Sequence, residues 1–183
     1  AANPMKAGLE DVVVSPSEIC FIDGRKGRLV YRGFDVDGLV GQSSFEEVTY
    51  LLWYGKLPTR KELDAHVKAL SSTANRKLPP KLLAMLRLFP KKTTPMEILR
   101  TGVSALSAFD PDAADNSREA TLRKSIRLTA QMPTLVAAWD RIRSGKAPVA
   151  PNPRLSLAGN FVYMMSGKKP TPLATKTFDV ALI

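Results

Sequence analysis

The sequence holds one cysteine, Cys20, and one histidine, His66, in 183 residues. A lone cysteine excludes an internal disulfide and any cysteine-based zinc cluster, and a reducing cytoplasm is the natural expectation. His66 lies in Leu63-Asp64-Ala65-His66-Val67-Lys68, beside an apolar stripe of Leu63, Val67 and Leu70, and reads as a surface or rim histidine. With no second histidine or cysteine nearby, no metal site is expected. No apolar run approaches the roughly 20 residues a membrane helix needs. The opening AANPMKAGLED has no stretch of signal-peptide type, and the internal Met5 leaves open whether residues 1–4 are native. The phosphate-binding GxxxxGK[ST] loop, the GxGxxG fingerprint and the GxSxG elbow are all absent. Asp35 and Asp37 flank Val36, and Asp110 and Asp112 flank Pro111; both pairs read as turn residues rather than acid–base pairs.

Acidic residues are also scarce. There are 17 Asp and Glu against 27 Lys and Arg, a net charge of +10. The cations are spread over every segment, with only short clusters such as Lys91-Lys92 and Lys168-Lys169, and no aromatic pattern interleaves them. A solvated surface is the expectation, and no nucleic-acid or membrane partner. A phosphate-bearing small ligand or an acidic partner stays open as the alternative, and a basic nucleic-acid-binding helical domain is a third, weaker reading.

What is abundant is helical punctuation. Hydrophobic residues make up 44% of the chain, enough for one sizeable core. Near the start, Ile19–Ile22 and Arg28–Phe34 flank the turn Asp23-Gly24-Arg25-Lys26-Gly27 and predict a small β-hairpin. Helices follow. Ser44-Phe45-Glu46-Glu47, Thr59-Arg60-Lys61-Glu62 and Thr94-Pro95-Met96-Glu97 are capping boxes: the hydroxyl and the acid three residues on each satisfy a free backbone N–H. They open helices over about 45–53, 60–70 and 95–109. Pro79-Pro80 precedes an apolar helix over 81–89. Asn116-Ser117 opens the longest stretch, to about Ser144, which Pro133 should kink or divide. Pro148, Pro151 and Pro153 form a rigid connector; Ser156 caps a short helix ending at Gly167. Thr171 and Pro172 open a last amphipathic helix that carries no closing signal before Ile183, which suggests a piece of a longer protein.

The order and spacing of these pieces resemble the citrate synthase family across about residues 7–183. The resemblance rests on Ile22-Asp23-Gly24 with Gly27-Arg28-Leu29-Val30-Tyr31-Arg32-Gly33-Phe34-Asp35, and on Ser44-Phe45-Glu46-Glu47-Val48 with Tyr50-Leu51-Leu52-Trp53-Tyr54-Gly55-Lys56-Leu57-Pro58. It continues through Pro95–Leu106, Pro133-Thr134-Leu135-Val136-Ala137, Asn160-Phe161 and Asp179–Ile183. The shorter citrate and 2-methylcitrate synthases of bacteria and archaea look nearest. Where the family usually has His-Pro-Met, this chain has Thr94-Pro95-Met96; Thr94 keeps the capping role.

The resemblance implies a mainly α fold: the family's helical large domain with a small N-terminal β-hairpin, truncated. Residues 1–40 would form the extended segment and 41–183 the helical portion. It further implies a homodimer without a cofactor that condenses acetyl-CoA, or propionyl-CoA, with oxaloacetate to citrate, or 2-methylcitrate. In the family an aspartate removes the acyl α-proton, a histidine stabilises the enol, a second histidine polarises the oxaloacetate carbonyl, and arginines hold its carboxylates. Such paired action suits a weakly acidic thioester. None of these residues carries over, because the family's first histidine motif should begin just after Ile183; no catalytic residue is therefore expected in the chain, and the chain by itself should be inactive. One substrate-binding candidate remains. Arg76, in the basic loop Asn75-Arg76-Lys77, could reach a substrate carboxylate or a CoA phosphate, with a solvated loop charge as its alternative. A half-length, non-catalytic paralogue serving as a dimerisation module is the alternative reading of the whole chain.

Overall fold

A computed structural model describes residues 15–183; the opening segment with Met5 lies outside the described residues. Three short antiparallel strands come first, β1 (Cys20–Asp23), β2 (Arg28–Tyr31) and β3 (Phe34–Asp35), in sheet order β1-β2-β3. The predicted hairpin is present, with Phe21 opposite Val30, and the third strand extends it by pairing Val30 with Asp35. Asp23 shapes the first turn by accepting from the backbone N–H groups of Arg25 and Lys26. The second turn is tighter. Arg32 and Gly33 both take positive φ, +48° and +88°, which matches the twist of a two-residue hairpin. An arginine is unusual there. Its guanidinium donates to the carbonyl of Leu52, which ties the sheet to the end of a helix.

Nine helices follow among the described residues: α1 (Val36–Leu39), α2 (Phe45–Tyr54), α3 (Arg60–Ser71), α4 (Thr73–Arg76), α5 (Pro80–Leu86), α6 (Pro95–Leu106), α7 (Arg118–Arg143), α8 (Leu157–Ser166) and α9 (Pro172–Leu182). All three capping boxes form, each with both reciprocal hydrogen bonds, at the heads of α2, α3 and α6. Gly55 and Gly167 close α2 and α8 in the left-handed conformation, at φ +77° and +72°. A 3-10 turn, Ser107–Phe109, prolongs α6 to the expected end. The prediction for α5 runs too far, because the helix stops at Leu86.

Pro133 does not divide the longest helix. α7 runs 26 residues through it. Proline removes one N–H from the ladder, but Ala130, Thr134, Leu135, Ala137 and Ala138 are buried around the site, so packing outweighs the lost bond. α7 is the axis of the fold, with α3, α4, α5, α6 and α8 packed around it. Leu78, Leu82, Leu86, Ile98, Leu135 and Trp139 form the main core where α5, α6 and α7 meet. The helices α6 and α7 approach closely at Gly102: a Cβ there would sit 2.7 and 2.9 Å from the two methyl groups of Leu135. A smaller core of Leu39, Val48 and Leu51 seats Tyr31 of the sheet and Ile183 at the end of α9.

Candidate functional site

The ionisable side chains were the natural place to seek chemistry, and the fold puts most of them to structural use. Arg76 is the first case. It does not lie on a solvated loop; it ends α4 and is 1% exposed. Its Nε donates to the carbonyl of Leu70 at 2.9 Å, and its Nη1 to those of Asn152 and Leu155 at 2.8 and 2.9 Å. Nη2 is buried without a partner among the described residues. Burial lowers the pKa to about 10, partly offset by nearby Glu46. A guanidinium so enclosed ties the proline-rich connector to α3. The solvated-loop alternative fails because two of the acceptors come from 76 and 79 residues further along the chain.

His66 is the second case. It is not at the rim; it is 5% exposed on α3, enclosed by α2. The rings of Tyr50 and Trp53 meet it edge-on, with centroids 5.4 and 5.2 Å away. Its Nε2 lies 2.9 Å from the Thr49 hydroxyl, which also donates to the carbonyl of Glu46. Burial pulls the imidazole pKa down to about 4, so the ring is neutral near pH 7. Beside it opens a hollow of about 280 Å³ lined by Tyr50, Tyr54, Glu62, Ala65, His66, Ala69 and Ile126.

Two carboxylates that sequence reasoning did not single out join separate helices. Glu46, 3% exposed on α2, accepts through Oε1 from the backbone N–H of Leu157, the first residue of α8. Asp179 on α9 accepts through Oδ1 from the backbone N–H of Phe45, the first residue of α2. Each acid caps the positive end of another helix. They border a hollow of about 510 Å³ with Lys169 and Lys176. The only signal in sequence was an acid in an apolar context, since the capped residues are 111 and 134 positions away.

The aspartate pair at 110 and 112 holds a turn, as expected. Asp110 accepts from the backbone N–H of Asp112 at 2.8 Å. Both are also bound by α7: Arg127 reaches Asp110 and Asp112 at 2.6 Å, and Arg123 reaches Asp112 at 2.6 Å. These arginines hold both carboxyl pKa values below the usual range. Asp35 is bonded to Arg28 across the β2–β3 strands, and Asp37 sits in the first turn of α1. Thr94 caps α6 as its sequence suggested. Among the described residues no group of three or more His, Cys, Asp or Glu could hold a metal ion. No helix there is long and apolar enough to cross a membrane.

An apolar groove lies elsewhere. Phe45, Leu99, Met132, Val136, Phe161 and Phe178 line a groove of about 350 Å³ between α6, α7, α8 and α9. Phe161 and Phe178 stack in it with centroids 4.7 Å apart. The chain thus presents a braced helical scaffold with an open apolar face.

Known proteins share this scaffold. The family pattern described as "Citrate synthase, C-terminal domain" matches residues 8–183. The chain is 45% identical to the citrate synthase of Haloferax volcanii, a match covering 100% of this chain and 48% of that protein. It is 36% identical to the citrate/2-methylcitrate synthase of Bacillus subtilis, over 96% of this chain and 46% of that protein. The crystal structure of citrate synthase from Pyrobaculum aerophilum superposes with a TM-score of 0.87 at 36% identity, over 94% of this chain and 45% of that one. The chain therefore spans about half the length of the relatives it matches.

Proposed function

The chain belongs to the citrate synthase family, and from that premise we propose that a protein of its relatives' length carrying this sequence condenses acetyl-CoA, or propionyl-CoA, with oxaloacetate to give citrate, or 2-methylcitrate. The observation that carries the proposal is that likeness in sequence and in fold extends over nearly the whole chain. Placement in the tricarboxylic acid or methylcitrate cycle, a cytoplasmic setting and a homodimer are parts of the same proposal. The resemblance to the family implies that helices matching residues 95–109 and 172–183 contribute to a dimer contact, and the apolar groove that Leu99, Phe178 and Leu182 help to line supports that pairing.

We further propose that the 183 residues supply the scaffold and not the chemistry. The reaction needs a base for a weakly acidic carbon and a donor for the developing oxyanion. The lone histidine is buried and committed to Thr49, and Glu46 and Asp179 are committed as caps. Residues 41–183 would then be a portion of the large domain, with residues 1–40 as its extended lead-in.

The test is CoA release, followed with a thiol reagent. The chain alone is expected to release none from acetyl-CoA or propionyl-CoA with oxaloacetate. A chimera in which the chain replaces the matching part of the Bacillus subtilis relative is expected to be active. Enzyme-like CoA release by the chain alone would overturn the scaffold reading. A folded chimera inert with both thioesters would overturn the proposed activity.

A further inference from the structure

The hollow beside His66 has a chemistry of its own, and its lone nitrogen acceptor follows from counting protons. A threonine hydroxyl has one hydrogen. That of Thr49 is given to the carbonyl of Glu46 at 2.9 Å. Towards His66 the same oxygen must therefore accept, and Nε2 must carry the hydrogen that it donates across 2.9 Å. The neutral ring then has its lone pair on Nδ1. No described residue donates to Nδ1, and it is not among the buried polar atoms lacking a partner, so it is not fully enclosed, and His66 is one of the residues that line the hollow.

The walls are flat and apolar. Tyr50 and Tyr54 stack with centroids 4.3 Å apart and 27° between planes. Ala65 and Ala69, two small side chains one helical turn apart on α3, leave the space opposite. Glu62 also lines the hollow, its carboxylate fixed by Lys56 at 2.7 Å and by the backbone N–H and hydroxyl of Thr59 at 2.8 Å. These donors keep it ionised, with a pKa of about 2. Lys56 balances this charge, so the hollow offers an anion no unpaired cation. A volume of about 280 Å³ falls at the small end of ligand pockets.

We propose that this hollow binds a small, uncharged planar ligand of one or two aromatic rings bearing an N–H donor, stacked on the tyrosines and donating to Nδ1 of His66. The inference does not rest on the condensation activity: it needs only α2, α3 and Ile126 of α7.

The probe is indole, with 1-methylindole and indole-3-carboxylate as controls. His66 is the sole histidine, so a chain labelled with 15N-histidine gives one imidazole spectrum. At neutral pH that spectrum is expected to show the Nε2–H tautomer, and indole is expected to shift the Nδ1 signal saturably. 1-Methylindole, lacking the donor, should bind about tenfold more weakly, the equivalent of one buried hydrogen bond. Indole-3-carboxylate should also bind more weakly, because its charge would be desolvated with Lys56 already paired to Glu62. The variant Ala65→Leu, at an exposed wall position, should abolish the saturable shift while leaving the far-UV circular dichroism unchanged. Should that variant unfold, Tyr54→Ala is the second: its ring is 37% exposed, and its loss should weaken binding about fivefold. An Nδ1–H tautomer, no saturable shift, equal affinity for indole and 1-methylindole, or binding indifferent to both variants would each overturn the proposal.

Discussion

Replacing Arg76 with methionine tests the view that this residue is a brace. Methionine keeps much of the buried stem and removes the guanidinium. The carbonyls of Leu70, Asn152 and Leu155 then lose the guanidinium, and Asn152 keeps the backbone N–H of Leu155 at 3.3 Å. A buried acceptor left unsatisfied costs about 1–3 kcal/mol, so the two left without a donor cost roughly 2–6 kcal/mol if both stay dry. Water entering the vacated space returns part of that. Removing a charge that burial already disfavours returns a few kcal/mol more. The net expectation is a loss of about 1–3 kcal/mol for Arg76→Met, and slightly more for Arg76→Ala, which adds a cavity. Arg76→Lys should recover little, because an ammonium cannot span three acceptors that a planar fork reaches. Urea unfolding followed by circular dichroism gives the stability change, and amide hydrogen exchange gives its location. Protection should fall first in the connector and the head of α8, near 152–157. A stability change below about 0.5 kcal/mol with unchanged exchange would refute the brace. In the active chimera, the brace also predicts unchanged KM for both substrates while the protein stays folded; a selective rise in one KM would return Arg76 to the role of ligand contact.

Three further outcomes follow from the same geometry. Gly102→Ala forces a methyl within 3 Å of both ends of Leu135, which is fully buried and cannot swing away. Overpacking of about 1–3 kcal/mol exceeds the roughly 1 kcal/mol gained in helix propensity, so thermal unfolding should show a lower Tm; a Tm at or above that of the parent would contradict the close approach of α6 and α7. His66 should titrate near pH 4 by NMR, against 6.5 in the unfolded chain. The unfolded state binds its proton first on acidification, so stability attributable to this residue falls as pH drops from 6.5 through about 4 and is constant below; a measured pKa near 6.5 would refute its burial. Asp110 and Asp112 have folded pKa values below 3.8, so their contribution is present above about pH 4 and is lost as pH falls through the lower folded values. Asp112→Asn should therefore be less stable than the parent near neutral pH, with the gap closing in acid; a gap independent of pH would show that its pairing with Arg123 and Arg127 contributes nothing.

Much of the secondary structure could be read directly because its causes are local. A capping box needs a hydroxyl and an acid three residues apart, and all three such boxes formed where they were expected. Turn glycines acted in the same way at Gly55 and Gly167. Pro133 shows where local logic stops: the missing N–H is a local fact, but whether the helix survives it depends on what α7 packs against. The solvated reading of Arg76 and the rim reading of His66 fail on the same ground. A short basic run reads as solvated until the connector 76–79 residues away supplies acceptors. A histidine beside an apolar stripe reads as rim until α2 folds over it.

The sequence alone determined the family, the helical class, the hairpin and the heads of the helices, since each rests on residue order or on neighbours within a turn. Only the tertiary structure decided which charges are surface and which are internal fittings. Glu46 and Asp179 cap helices that begin 111 and 134 residues away, Arg76 clamps a distant connector, and Thr49 lies in hydrogen-bond contact with His66. Burial and hydrogen bonding depend on distances in space, and a linear chain does not contain those distances until it has folded.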